Sequence, residues 1–170
     1  MEKQKRWDVL SRLIKENDLK VGVEIGAKAG ENIKHILSAC SDVIIYGIDC
    51  WDPNFKYQTW SKGLQSVNEK KFNDVAIKFP GRAVKVKMWS NQAVGHFPDN
   101  SIDFVFIDGN HDFESVYYDI TFWLPKVRKG GFITGHDYGH PKIGNVKGAV
   151  DVLFPTDVFL FDDYVWVKKK

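Results

Sequence analysis

Val21-Gly22-Val23-Glu24-Ile25-Gly26-Ala27-Lys28-Ala29-Gly30-Glu31 decides the fold. The stretch reads as a buried strand ending in an acid, a tight glycine turn and the start of a helix. Glycine leaves no Cβ in the way, so such a junction brings backbone N–H groups and a helix N-terminus close to a ligand. The pattern alone is weak. It gains weight from Ile44-Ile45-Tyr46-Gly47-Ile48-Asp49, a second apolar strand that also ends in an acid. A carboxylate at the tip of the neighbouring strand can accept hydrogen bonds from both ribose hydroxyls of a nucleotide.

Working outward, Trp7, Leu10, Leu13 and Ile14 fall at helical spacing and predict a short helix within residues 1–20, before the first strand. Ile33, Ile36 and Leu37 mark the inner face of the helix after the glycine turn. Residues 51–80 are the least regular: Trp51-Asp52-Pro53 breaks the chain, a polar helix is expected from about Ser61 to Lys78, and the segment is a lid or insert in this reading. Val84–Met88 alternates apolar with basic, as a half-exposed edge strand does, with Arg82, Lys85 and Lys87 as a solvated face. Ile102–Asp108 is apolar on both faces, as a central parallel strand is. Phe113, Val116, Tyr117, Ile120 and Leu124 predict the next helix, opened by Asp112 and Glu114 in capping roles. Lys129-Gly130-Gly131 reads as a turn before a strand at Phe132–Gly135. A short helix over 146–153 and a hairpin of Val158–Phe161 with Tyr164–Val167 follow, and Phe122, Trp123, Phe159 and Trp166 are expected in the core.

Strands alternating with helices imply an α/β sandwich with a mostly parallel sheet. Right-handed crossovers place every strand C-terminus, and so the site, on one edge. Glu24, Asp49, Asp108 and Asp137 each stand at the C-terminal end of an expected strand, a convergence that a solvated surface does not explain.

The bulk numbers narrow the class. A chain of 170 residues is the size of one domain and large enough to bury a core without disulfides or metal. Cys40 and Cys50 fit no zinc or redox spacing and point to a reducing compartment, hence a cytoplasmic protein. A net charge of +2 argues against nucleic acid, and no apolar run approaches the ~20 residues of a membrane span. Lys168-Lys169-Lys170 reads as a solvated tail.

Taken together, Glu24-x-Gly26-x-x-x-Gly30, Asp49, Ser90, the run Ile102–Gly109 and Gly130-Gly131 resemble a class I S-adenosylmethionine-dependent methyltransferase. The text Asp103-Phe104-Val105-Phe106-Ile107-Asp108-Gly109-Asn110-His111-Asp112-Phe113-Glu114, then Pro125-Lys126 and Gly135-His136-Asp137-Tyr138, is similar to the small O-methyltransferase-like group known as methyltransferase domain family 24. The likeness spans about residues 20–154. It implies a Rossmann-like seven-stranded sheet in the order 3-2-1-4-5-7-6 with a C-terminal antiparallel hairpin, and S-adenosylmethionine as cofactor. On this resemblance Glu24, Gly26, Ala27 and Gly30 approach the methionine part, Asp49 takes the ribose hydroxyls, and Ser90 and Asn91 hold the adenine edge. Asp108 and Gly109 close the pocket. Trp51 either packs on the adenosine or anchors its loop. The turn departs from the family in having Ala27-Lys28-Ala29 where many members place a further glycine.

Methyl transfer is an in-line displacement at a carbon activated by a sulfonium, so the protein must align the acceptor and make its oxygen nucleophilic. Either a base or a divalent metal can do the second. His111 and His136, with Asp108, are candidates for acid–base work on the active edge. Asp108, His136 and Asp137 resemble the metal-binding trio of catechol-type O-methyltransferases, with His136 in place of an acid or amide, which tilts the choice from magnesium or manganese toward softer metals. The acceptor expected is a small molecule or sugar hydroxyl, and a homo-oligomer is compatible. Two other readings share the residues: a non-catalytic cofactor-binding or partner module, and an NAD-dependent oxidoreductase. The latter calls for G-x-G-x-x-G, whereas the glycines here are Gly26 and Gly30.

Overall fold

The computed structural model describes residues 4–53 and 64–170. Among these, five strands run parallel: β1 (Val21–Ile25), β2 (Ile44–Asp49), β3 (Ala83–Lys87), β4 (Ile102–Ile107) and β5 (Val127–Gly135). β6 (Phe159–Leu160) and β7 (Trp166–Lys169) form the terminal hairpin, and β7 inserts antiparallel beside β5. The sheet order is β3-β2-β1-β4-β5-β7-β6, as the resemblance implied. The helices are α1 (Arg6–Glu16), α2 (Glu31–Ala39), α3 (Leu64–Lys78), α4 (Ser90–Ala93), α5 (Phe113–Trp123) and α6 (Val146–Leu153).

Strand periodicity splits the core in two, because alternate side chains of β4 point to opposite faces. Phe104 and Phe106 join Leu10, Ile33, Leu37 and Phe72 beneath α1, α2 and α3. Val105 and Ile107 join Val23, Val116, Ile120 and Trp123 beneath α5 and α6. The sheet is therefore covered on both sides, and its open rim is the edge where the parallel strands end. At the opposite edge, where β4 begins, Asp103 Oδ2 accepts the backbone N–H groups of Lys20 (2.7 Å) and Val21 (2.8 Å), and Oδ1 faces Arg128 Nε. That acid knits strand starts together.

Several sequence expectations need correcting. β5 begins at Val127, so Gly130 and Gly131 lie within a strand rather than before it. The register jumps between Ile102↔Val127 and Phe104↔Phe132, an irregularity in which β5 carries extra residues. Gly131 is needed there because a Cβ would stand 2.4 Å from the Asp103 carbonyl oxygen. The lysine terminus is not a solvated tail: Lys168 and Lys169 belong to β7, and Lys170 Nζ donates to the Val127 carbonyl (2.6 Å). Lys85 and Lys87 are not simply solvated either, since both pair with Glu69 of α3 (2.7 and 2.8 Å). Phe122 and Phe159 are exposed, whereas Trp123 and Trp166 are buried as expected. The expected start of the polar helix at Ser61, and part of the proposed lid, lie outside the described residues; its described portion is α3. Asp112 caps α5 by accepting the Ser115 N–H (2.9 Å).

Candidate active site

The glycine turn works differently from the sequence expectation. The N–H groups of Gly26 and Ala27 both donate to the Ile48 carbonyl (2.9 and 3.1 Å), Gly30 N–H donates to the Ala27 carbonyl (2.7 Å), and Lys28 N–H donates to Asp49 Oδ2 (2.9 Å). These amides hold the turn to β2 and are not displayed to a ligand. What the turn offers is closeness: a Cβ on Gly26 (φ +84°) would stand 2.3 Å from the Asp108 carbonyl oxygen. Lys28, the bulky departure from the family pattern, is tolerated because its exposed side chain leaves the turn while its backbone, at φ +49°, does the bonding.

Asp49, the last residue of β2, accepts Lys28 N–H through Oδ2 and Trp51 N–H (2.9 Å) through Oδ1. A carboxylate has about four acceptor sites, so one on each oxygen remains for a ribose diol. A cleft of about 390 Å³ opens beside it between the loops after β2 and β3, lined in part by Cys50, Asp52, Met88, Trp89 and Gln92. A larger hollow of about 680 Å³, between Trp7, Arg12 and His35, contains none of the converging acids. Trp51 also lines the cleft beside Asp49, and it anchors its loop. Its ring is fully buried, 4.9 Å from Phe72, and Nε1 donates to the Lys28 carbonyl (2.8 Å). Ser90 is also turned inward: its hydroxyl donates to Asp119 Oδ1 and accepts from Trp123 Nε1 (2.8 Å). Asn91 is exposed beside it.

Beyond β4 and β5 four titratable groups converge. Asp108 follows β4; His136 and Asp137 follow β5; His111 arrives from the loop before α5. His111 Nε2 lies 2.9 Å from Asp137 Oδ2 and 3.6 Å from Asp108 Oδ1. His136 Nδ1 lies 3.2 and 3.5 Å from the same two oxygens. Donor atoms of Asp108, His111 and Asp137 all fall within 4.8 Å of one another. His111 thus joins Asp108 and Asp137 in a group of converging donors, and His136, the histidine of the sequence reading, faces the same two carboxylate oxygens. Arg6, at the start of α1, completes the ring with Nε 3.7 Å from Asp108 Oδ2. Asp163 accepts the Arg6 N–H (3.0 Å) and stands 3.8 Å from His136 Nε2, tying α1 to the hairpin link.

Charge distribution follows from burial and pairing. Burial opposes ionisation of both histidines, yet the hydrogen bonds and charges of Asp108 and Asp137 outweigh it and push each pKa up to about 9. Burial would also raise Asp108 and Asp137, but the imidazoles hold both below the usual carboxylate range. Glu24, at the end of β1, has no such rescue: burial and then the charge of Asp108 push it up to about 8, while Asn32 Nδ2 donates to its Oε2 (3.1 Å). Burial likewise pushes Asp119 up to about 6. Three non-glycine residues at this edge take the left-handed backbone region: Lys28, Trp51 (φ +40°) and Asp137 (φ +59°). Strain of that kind gathers at functional sites.

Sequence reasoning missed Arg6, Asp119 and Asp163. Asp119 left a signal, a carboxylate at helical spacing among the buried Val116, Ile120 and Trp123. Arg6 and Asp163 left none, because only the tertiary fold brings them to the edge.

Comparison with known proteins agrees with this geometry. The sequence model of methyltransferase domain family 24, described as a methyltransferase domain, matches residues 23–138. No curated protein matches the chain by sequence. Among solved structures, the O-methyltransferase NovP is similar with a TM-score of 0.69 and 18% identity, over 97% of this chain and 79% of that one. The O-methyltransferase from Bacillus cereus in complex with SAH gives 0.66 and 14%, over 97% and 80%. CalS11, a TDP-rhamnose 3'-O-methyltransferase of calicheamicin biosynthesis, gives 0.65 and 17%, over 96% and 76%. At these identities the structures share the fold, and the family match covers well over half of the sequence. The matched segment, which contains the glycine turn, Asp49 and Asp108, places this chain in methyltransferase domain family 24, among the class I methyltransferases whose cofactor is S-adenosylmethionine.

Proposed function

We propose that this methyltransferase is directed to oxygen, moving the methyl group to a hydroxyl of a small-molecule or sugar acceptor, with Asp108, His111 and Asp137 as ligands of a divalent cation. The convergence of those three donor groups beside the glycine turn carries the reading. The residues fit a metal. Two carboxylates and a neutral imidazole supply charge to match a divalent ion, and the mixed nitrogen–oxygen set suits manganese, iron, cobalt or zinc better than magnesium. A divalent ion held there would act as a Lewis acid that lowers the pKa of an acceptor hydroxyl.

The chain's own residues do the rest. Asp49 orients the ribose. Gly26, lacking a Cβ, lets the backbone of Asp108 close against the turn and so fixes that acid beside it. His136 faces the same oxygens of Asp108 and Asp137 and helps to hold both carboxylates in place. The hydrogen bonds and charges of Asp108 and Asp137 hold both imidazoles up to about 9, so each keeps its proton near neutral pH when no ion is bound. The sugar acceptor is supported by CalS11, which acts on TDP-rhamnose. The family match leaves the NAD-dependent reading without support.

Transfer of labelled methyl to catechols and nucleotide sugars tests the proposal. Activity is expected to vanish on chelation and return with manganese or cobalt. Asp137→Ala should lower turnover by about 1,000-fold, with S-adenosylhomocysteine affinity changed only a few-fold. Transfer that survives both chelation and Asp137→Ala would sink the metal reading. Cofactor binding without transfer to any acceptor would favour a binding module.

A further inference from the structure

Arg6 belongs to no assigned function, yet its guanidinium stands at the centre of the acidic edge. Nε is buried and makes no hydrogen bond among the described residues, while the side chain as a whole keeps 25% of its exposure. It lies 3.7 Å from Asp108 Oδ2, on the opposite oxygen from the one that faces the imidazoles. Its positive charge also acts on Glu24 at the end of β1. The backbone is fixed too, by the Arg6 N–H bond to Asp163 Oδ2. A buried donor without an acceptor costs free energy unless a ligand supplies one.

The layout of the edge identifies that ligand group. With Asp49 as the ribose acceptor proposed above, the cleft between the loops after β2 and β3 is the space open to the base. An extended cofactor therefore runs from there across Gly26 toward β4, bringing its amino-acid end beside Glu24, Asp108 and Arg6. That end is a zwitterion. The acids suit its ammonium, and a guanidinium with an unbonded donor suits its carboxylate. His111 and His136 face Asp108 and Asp137, and Lys28 is exposed.

We propose that Arg6 binds the methionine carboxylate of S-adenosylmethionine, making the first turn of α1 part of the cofactor site. A guanidinium fork matches a carboxylate in two parallel hydrogen bonds, which a lysine cannot reproduce. The inference rests on the cofactor assignment above, and it makes α1 a specificity element that distinguishes the intact cofactor from analogues lacking the carboxylate.

Calorimetric titration with S-adenosylmethionine and its decarboxylated analogue tests it as a thermodynamic cycle. Wild-type protein should bind the decarboxylated analogue roughly 10- to 100-fold less tightly. In Arg6→Ala that difference should shrink to within about threefold, because the intact cofactor weakens while the analogue does not. Arg6→Lys should restore part of the difference, and Arg6→Gln serves if the alanine variant does not fold. An undiminished difference in Arg6→Ala, or equal weakening of both ligands, would overturn the proposal. Wild-type protein that bound neither ligand would instead overturn the cofactor assignment.

Discussion

Asp103 and Asp108 bracket the same strand and serve opposite purposes. At the start of β4, Asp103 accepts two backbone N–H groups and faces Arg128. At the end of β4, Asp108 faces two imidazoles and a guanidinium whose Nε is otherwise unbonded. Burial favours the neutral form of each carboxyl, and partners hold each below the ordinary range. The partners differ in kind. Those of Asp103 are mostly fixed backbone donors, so its bonds are complete as folded. The histidines around Asp108 can exchange a proton for another ligand, so its surroundings are poised for something further. An acid's function is thus read from what its partners can still give up, more than from its own burial.

Breaking the ligand-facing edge should have the larger effect. Asp49→Ala removes two acceptors for the ribose and is expected to weaken S-adenosylhomocysteine binding by about 100-fold. Calorimetry checks this, and binding within threefold of wild type would move the ribose elsewhere.

Glu24→Gln sharpens the contrast by testing an acid that the site keeps at the expense of stability. Glu24 has a folded pKa of about 8 against 4.5 for the free group. The folded protein therefore holds this proton more tightly than the unfolded chain does between those values. Stability then drains as pH rises through that window and levels off above it. The glutamine variant should lose this dependence, melting several degrees above wild type at pH 8.5 and converging with it near pH 5. Thermal melts across that range would refute the idea if the curves stayed parallel.

The smallest effect belongs to the other edge. Asp103→Asn should cost about 1–2 kcal/mol, read by urea unfolding, with methyl transfer unchanged. Because the Asp103 pKa is lowered on folding, its contribution is present above the unfolded value of about 3.8 and fades as pH falls through the folded one. The variant's deficit should therefore shrink in acid. A loss of activity at full occupancy of the fold would show that the two edges are coupled.

How much could be read from the sequence follows the same division. The parallel α/β sheet and the acids at its strand ends were legible because apolar runs such as Ile102–Ile107 and the glycines at 26 and 30 leave local marks, whereas the strand order was implied only by the family resemblance. The start of β5 was not, since Gly130-Gly131 has the same appearance in a turn as in an irregular strand that presses against Asp103. Ser90 was placed at the right edge, but its inward hydroxyl depends on Asp119 and Trp123 from another helix. His111 was placed on the active edge but not among the metal donors, because only the fold of the loop before α5 carries its Nε2 to the two carboxylate oxygens that His136 also faces. Arg6 was invisible for the same reason: its partner is remote in the chain.

The left-handed backbone at Asp137 carries a consequence for how this site can evolve. Aspartate, asparagine and glycine enter that region with the least penalty, while β-branched or bulky residues resist it. Single replacements at 137 that keep the fold are thus largely confined to an amide or to no side chain at all. Drift there would swap a carboxylate for a neutral oxygen donor, or erase the ligand outright, before it explored any other chemistry. A deep mutational library scored for folding alone should reveal this restricted alphabet, and His136, whose backbone is not among the left-handed residues, should tolerate a wider one.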